Sequence, residues 1–288
     1  MTTSVDSGKH YHRQCTGPAL ETVNAHQDPA AEITLFGSCF CPFVQRAWVT
    51  FEHLDMPYKY GKHVACGFAV EVDPYQKPKE LIEVSPKGLV PGLRLNKYDP
   101  PRAVNESTVI MEYVEELAAN KNQRSLLPPR SNPYARALVR LQSDHVNRYL
   151  IPAFYRYIQA QEEAAQIEGG KEFIGAIEGL VSLFERAVKE GELSAVGLWR
   201  SDGELGWADV SAGPWLFRAS NVLKHYRGFV LPPGEKVAAW LHRLYEHPAF
   251  ARTCSTEDLY LDSYERYAHN RPNTSQVANA INSGRGLP

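Results

Sequence analysis

The stretch that most constrains this chain runs from Ile33 to Leu54, ITLFGSCFCPFVQRAWVTFEHL. A short apolar run, Ile33 to Phe36, is followed by a Gly-Ser loop and then by Cys41-Pro42. Val44, Ala47, Trp48 and Phe51 recur at i, i+3, i+4, i+7, which predicts a helix buried along one face. Proline suits the first helical position, where its missing N–H costs nothing. Cys41 is thus predicted at a helix mouth, where free N–H groups and the positive dipole end favour a thiolate and a lowered pKa. A strand feeding a helix in this way also predicts that the sulfur lies at the carboxyl edge of an α/β sheet, where such sheets bind ligands.

The pattern continues as a second strand within residues 58–65, a short helix after Pro78, a strand over 93–95, another over 103–105, and a helix capped by Ser107. Ile110, Tyr113, Val114 and Leu117 give that helix its apolar face. A βαβ unit, a hairpin and a helix fit a small mixed sheet covered by helices. Beyond a proline-bearing linker the periodicity is helical throughout. Tyr134, Leu138, Leu141, His145 and Tyr149 trace one face, with a bend at Pro152; Phe173, Ile177, Leu180, Phe184 and Ala187 trace another. A third helix opens near Asp209 and contains Gly213-Pro214, a fourth carries Val237, Trp240, Leu241 and Leu244, and a fifth runs from Glu257 to Ala268. The resulting division is a flexible N-terminal arm (1–30), a thioredoxin-like domain (31–120), a linker (121–133), an all-α domain (134–269) and a loose tail (270–288).

Charge narrows the partners. A formal net charge of -2 supplies no bulk attraction to nucleic acid or to an anionic membrane surface. No run of 18 apolar residues is present, and no apolar stretch follows Met1, so the expectation is an intracellular, cytoplasmic chain without a membrane span. The five cysteines (Cys15, Cys39, Cys41, Cys66, Cys254) are odd in number and scattered, unlike a disulfide framework or a zinc site. His10, His12 and Cys15 cluster near the N-terminus but read as part of the arm, and no metal is expected.

Two further segments bear on Cys41. Leu89-Val90-Pro91 reads as an extended strand-like piece that offers one backbone N–H and one C=O to a peptide ligand. Glu106-Ser107 opens a helix, where the serine can hold a carboxylate and the glutamate an ammonium. Together they describe a receptor for a short peptide with a zwitterionic head group.

Cys41-Pro42-Phe43, Gly88-Leu89-Val90-Pro91, Glu106-Ser107, Ala208-Asp209 and Pro214-Trp215 with Arg218 resemble the omega class of glutathione transferases, in its fungal omega-like type. The resemblance covers roughly residues 30–270. It implies the cytosolic glutathione transferase architecture, usually a homodimer, with glutathione as co-substrate. Cys41 would be catalytic. Glu106 and Ser107 would hold the γ-glutamyl end, Val90 the cysteinyl unit beside a cis Pro91, Lys77 the glycyl carboxylate, and Phe43 would touch the tripeptide. Trp215, Arg218, Tyr260 and Tyr267 would line the acceptor-substrate pocket. The implied chemistry is glutathione-dependent thiol transfer, dehydroascorbate reduction or deglutathionylation of small aromatic adducts, in detoxification and redox metabolism. An alternative is ligandin-type binding of aromatic or phenolic plant compounds with little turnover. The run Cys41 to Arg46 is also similar to intracellular chloride channel proteins, a third reading. Cys39 is expected as a small loop residue, with resolution of oxidised Cys41 as the other role open to it.

Overall fold

The computed structural model describes residues 11–288, apart from 62, 66–67, 74–76, 122–123 and 233. His10, Cys66 and Gln76 lie outside the described residues.

Four strands form the central sheet in the order β2-β1-β5-β6: β1 Ile33–Phe36, β2 Lys59–Gly61, β5 Gly92–Leu95 and β6 Arg102–Asn105. β1 pairs parallel with β2 (Leu35 opposite Tyr60) and antiparallel with β5 (Leu35 opposite Leu93); β5 and β6 are antiparallel. The predicted second strand is divided. Its first half is β2, while β3 (His63–Ala65) pairs with β4 (Phe68–Val70) as a separate hairpin. All four residues of β1 are buried, as expected of a strand covered on both faces.

Helices cover this sheet: α1 Gly17–Ala25, α2 Pro42–Leu54, α3 Lys79–Val84 and α4 Ser107–Ala119. α2 packs against α4 on one side and against the helical part of the chain on the other. That part comprises α5 Pro133–His145, α6 Ile151–Gln159, α7 Glu163–Lys189, α8 Trp207–Arg218, α9 Lys224–Arg227, α10 Glu235–Glu246, α11 Pro248–Ala251, α12 Glu257–Ala268 and α13 Gln276–Asn282. The architecture is a thioredoxin-like N-terminal unit followed by a predominantly helical remainder.

Three expectations are corrected. Residues 11–30 are not a flexible arm: α1 buries Ala19 and Val23 completely, the Ala19 N–H donates to the Cys254 carbonyl (3.1 Å), and the Thr22 hydroxyl donates to the Arg252 carbonyl (2.7 Å). The polar composition of the segment hid a docking face only a few residues wide. The tail is not loose either. Ser275 caps α13 by accepting from Ala278 N–H (2.9 Å), and Gln159 Nε2 donates to Asn282 Oδ1 (2.8 Å). Lastly, α5 buries Ala135, Leu138, Val139 and Gln142, whereas Tyr134, Leu141 and Tyr149 are exposed. Tyr134 and Leu141 face solvent from α5 itself, and a widened turn at Val146–Leu150, just before Pro152, shifts the helical phase where Tyr149 sits.

Elsewhere the helical faces agree with the pattern. Phe173, Ile177, Leu180, Phe184 and Ala187 are all buried on α7, and Trp240, Leu241 and Leu244 on α10. Asp209 sits at the third position of α8. Its Oδ2 accepts from Gly206 N–H (2.8 Å) and Leu198 N–H (2.9 Å), and its Oδ1 from Trp240 Nε1 (2.7 Å). One carboxylate thus ties the start of α8 to a preceding turn and to α10.

Candidate functional site

A cavity of about 1120 Å³ lies between the carboxyl edge of the sheet, α6 and the C-terminal segment. Cys41, the residue immediately before α2, is half-buried in its wall. The Phe43 and Val44 N–H groups act on its sulfur from the first turn of the helix, as the sequence predicted. The net effect is opposite to the prediction. Burial outweighs those N–H groups and the nearby guanidiniums of Arg218 and Arg46, so the thiol is pushed up from its ordinary value. The helix mouth moderates the penalty of an enclosed site; it does not overcome it.

The Cys41 thiol points toward the Val90 carbonyl at 4.0 Å, and the Val90–Pro91 peptide is cis. Gly88, in the same loop, has φ +63°, and a Cβ there would lie 2.6 Å from Lys77 Cδ. The glycine therefore lets the loop turn under the lysine. Opposite, Glu106 precedes α4 with φ +68°, a conformation that a non-glycine residue adopts only when its surroundings impose it. Ser107 follows at the helix start, and its hydroxyl accepts from Arg46 Nε (2.9 Å) and Nη2 (2.7 Å).

Of the eleven residues singled out, eight line this cavity: Cys41, Phe43, Lys77, Val90, Pro91, Glu106, Ser107 and Tyr267. Trp215, Arg218 and Tyr260 do not. Trp215 is fully buried beneath Phe43, edge to face with ring centroids 4.8 Å apart. Arg218 is 1 % exposed and donates to the Phe40 carbonyl (2.8 Å from Nη2), to Gln45 Oε1 (2.6 Å) and to the Pro214 carbonyl (2.8 Å). Tyr260 lies under its guanidinium, 4.6 Å from ring centroid to Cζ, and accepts from Ser255 N–H (2.9 Å). These three support the wall from behind, and of the residues expected in an acceptor pocket only Tyr267 lines the cavity.

That lining includes residues the sequence reading missed. Arg46, Asn147, Tyr149 and Tyr155 enter from α2, from the widened turn and from α6, and Gln276 and Asn279 enter from α13. Gln276 Nε2 donates to the Lys87 carbonyl (2.9 Å), so the tail bridges the cavity to the loop before Val90. Arg46 was within reach of the sequence, five residues past Cys41 in the same motif. The tail was not, because its helix has no long apolar period.

The remaining described cysteines are poorer nucleophiles. Cys39 is buried, its thiol donates to the His12 carbonyl (3.4 Å), and burial pushes it well up. Cys15 is buried against Glu71 and shifted the same way, and burial takes Cys254 to about 12. His12 meets Asp262 (3.1 Å) and Asp258 (3.7 Å) at the surface of α12.

A model of the glutathione S-transferase N-terminal domain matches residues 35–122. Glutathione S-transferase U15 of Arabidopsis thaliana is 30% identical over 201 residues, 67% of this chain and 76% of that protein. The chain therefore belongs to the glutathione S-transferase family. Within the family, the structure resembles glutathione transferase Omega 3C of Trametes versicolor, with a TM-score of 0.71 and 30% identity over 89% of this chain and 98% of that one. That likeness agrees with the fungal omega-like type. Pyrimidodiazepine synthase of Drosophila melanogaster is 30% identical over 84 residues, so the match spans 29% of this chain and about a third (31%) of that relative.

Proposed function

We propose that this protein is a cysteine-type glutathione transferase that catalyses glutathione-dependent thiol transfer. The observation that carries this reading is the convergence of Cys41, Val90 and Glu106-Ser107 on one cavity. Glutathione would lie with its γ-glutamyl end at Glu106 and Ser107. Its cysteinyl unit would pair with the Val90 backbone, and its glycyl carboxylate would face Lys77. In that pose its sulfur approaches Cys41.

The Cys41 thiolate attacks the glutathione sulfur of a mixed disulfide R–S–S–G. A Cys41–S–S–G bond forms, and the leaving thiolate R–S⁻ takes a proton from water. A second glutathione thiolate then attacks the glutathione sulfur of that adduct, releasing oxidised glutathione and regenerating the Cys41 thiolate. Reduction of dehydroascorbate and deglutathionylation of small aromatic adducts use the same intermediate. Its place is in detoxification and redox metabolism, in the cytoplasm. A homodimer is expected.

Steady-state turnover with glutathione and hydroxyethyl disulfide, beside chlorodinitrobenzene conjugation, tests this. Cys41→Ser is expected to abolish thiol transfer. If it keeps thiol transfer and loses conjugation instead, the assignment is wrong.

The cavity also favours a second reading. Tyr149, Tyr155, Tyr267 and Phe43 give it an aromatic lining that suits flat phenolic ligands. Strong thermal stabilisation by such compounds with negligible turnover would make binding the main role. The chloride-channel reading has no such support: among the described residues no helix is long and apolar enough to cross a membrane.

A further inference from the structure

Two buried guanidiniums border the Cys41 segment, Arg46 in the same cavity lining and Arg218 on the carbonyl of Phe40, and neither forms an ion pair with a carboxylate among the described residues. Arg46 is 4 % exposed. It spends its N–H groups on the Ser107 hydroxyl and on Asn147 Oδ1 (2.9 Å), and its Cζ lies 5.2 Å from the Phe43 ring centroid and 5.3 Å from that of Trp215. Arg218, on the helical side, donates from Nη2 and Nε (2.8 and 3.3 Å) to the carbonyl of Phe40, the residue before Cys41. Its other partners are the neutral acceptors Gln45 Oε1 and the Pro214 carbonyl, with Tyr260 against its face.

Burying a guanidinium without an ion-pair partner carries a desolvation cost that neutral hydrogen-bond acceptors only partly offset. The groups facing Cys41 account for the charge. Arg46 comes from its own helix, Arg218 from α8, Tyr155 from α6 and Tyr264 from α12, while the acid bearing on Arg46 through space is Glu106. Both tyrosines are held neutral by burial, with Tyr264 at about 12, and Cys39 is likewise held neutral. Glu106 is the group expected to engage the ammonium of glutathione, which leaves the arginines to the sulfur.

We propose that Arg46 and Arg218 form a two-guanidinium cradle whose missing counter-ion is the Cys41 thiolate. Arg218 acts as a positioning residue through the Phe40 carbonyl, and Arg46 supplies charge from beneath the first turns of α2. When Cys41 gives up its proton, the site gains the anion that its buried cations lack. The device also spans the chain's two halves, since one cation comes from α2 and the other from α8. In treating Cys41 as the reacting sulfur, the proposal rests on the function proposed above.

The test is the pH profile of Cys41 alkylation by iodoacetamide in the full-length protein, without glutathione, with the modified residue assigned by fragmentation mass spectrometry. Arg46→Gln and Arg218→Gln are each expected to raise the profile's midpoint by about one pH unit, which is about tenfold slower alkylation at neutral pH. A purely structural role would lower the melting temperature and leave that midpoint in place. Folded Gln variants with an unchanged midpoint overturn the proposal. If the Gln variants do not fold, Arg46→Met and Arg218→Met, which remove the charge and keep a long side chain, are read in the same way. Because the assay holds no glutathione, the two readings separate. A midpoint that moves in a protein devoid of thiol transfer keeps the cradle and removes the reaction; full thiol transfer with an unmoved midpoint does the reverse.

Discussion

His53, in the last turn of α2, is 2 % exposed, and neither ring nitrogen has a hydrogen-bond partner. Its ring faces that of His247 at 5.5 Å between centroids. Burial, then His247 and Arg124, lower its pKa from 6.5 to about 4. The folded state therefore holds this imidazole neutral, while the unfolded chain protonates it below pH 6.5. Between those limits the unfolded state binds more protons, so stability falls as pH falls through the window. At 1.36 kcal/mol per pKa unit, this group alone withdraws about 2.5 kcal/mol between pH 7 and pH 4.5. His53→Leu, close in volume, removes both the orphaned nitrogens and the titration. Urea unfolding at the two pH values should show the variant gaining about 2.5 kcal/mol relative to wild type at the lower pH, whatever the difference at neutrality. An equal difference at both would mean that His53 protonates as easily folded as unfolded, and the reasoning from its burial would be refuted.

Two other changes probe different parts of the molecule. Asp209→Asn keeps the volume but leaves one amide group facing N–H donors where Leu198, Gly206 and Trp240 now converge on two oxygens; the expected loss is about 2–4 kcal/mol in urea unfolding with the slope unchanged. Ser107→Ala removes the hydroxyl that accepts from Arg46 and faces the cavity, so the KM for glutathione should rise about tenfold with little change in kcat, and an unchanged KM would place the γ-glutamyl end elsewhere.

Sequence alone determined the parts whose physics is local. A β1–loop–α2 unit with proline at the first helical position put Cys41 at a helix mouth, α7 buries the side chains that its period named, and α10 buries three of its four, Val237 being half-buried. Of the eight residues that meet in the cavity, Cys41, Val90, Pro91, Glu106 and Ser107 come from motifs legible in a short window, because strand ends, caps and turns carry their own chemistry, whereas Phe43, Lys77 and Tyr267 came with the family resemblance.

The tertiary structure decided what depends on distance along the chain. Trp215 and Tyr260 went behind the wall because burying aromatic area outweighs offering it to a pocket, and Arg218 follows them there on the Phe40 and Pro214 carbonyls and Gln45. The tail returned over the cavity by one hydrogen bond to Lys87 and a short cap, which no periodic pattern announces. The protonation of Cys41 was settled in the same way. The helix mouth favours the anion, enclosure opposes it, and enclosure wins because desolvation is set by everything that packs around the sulfur.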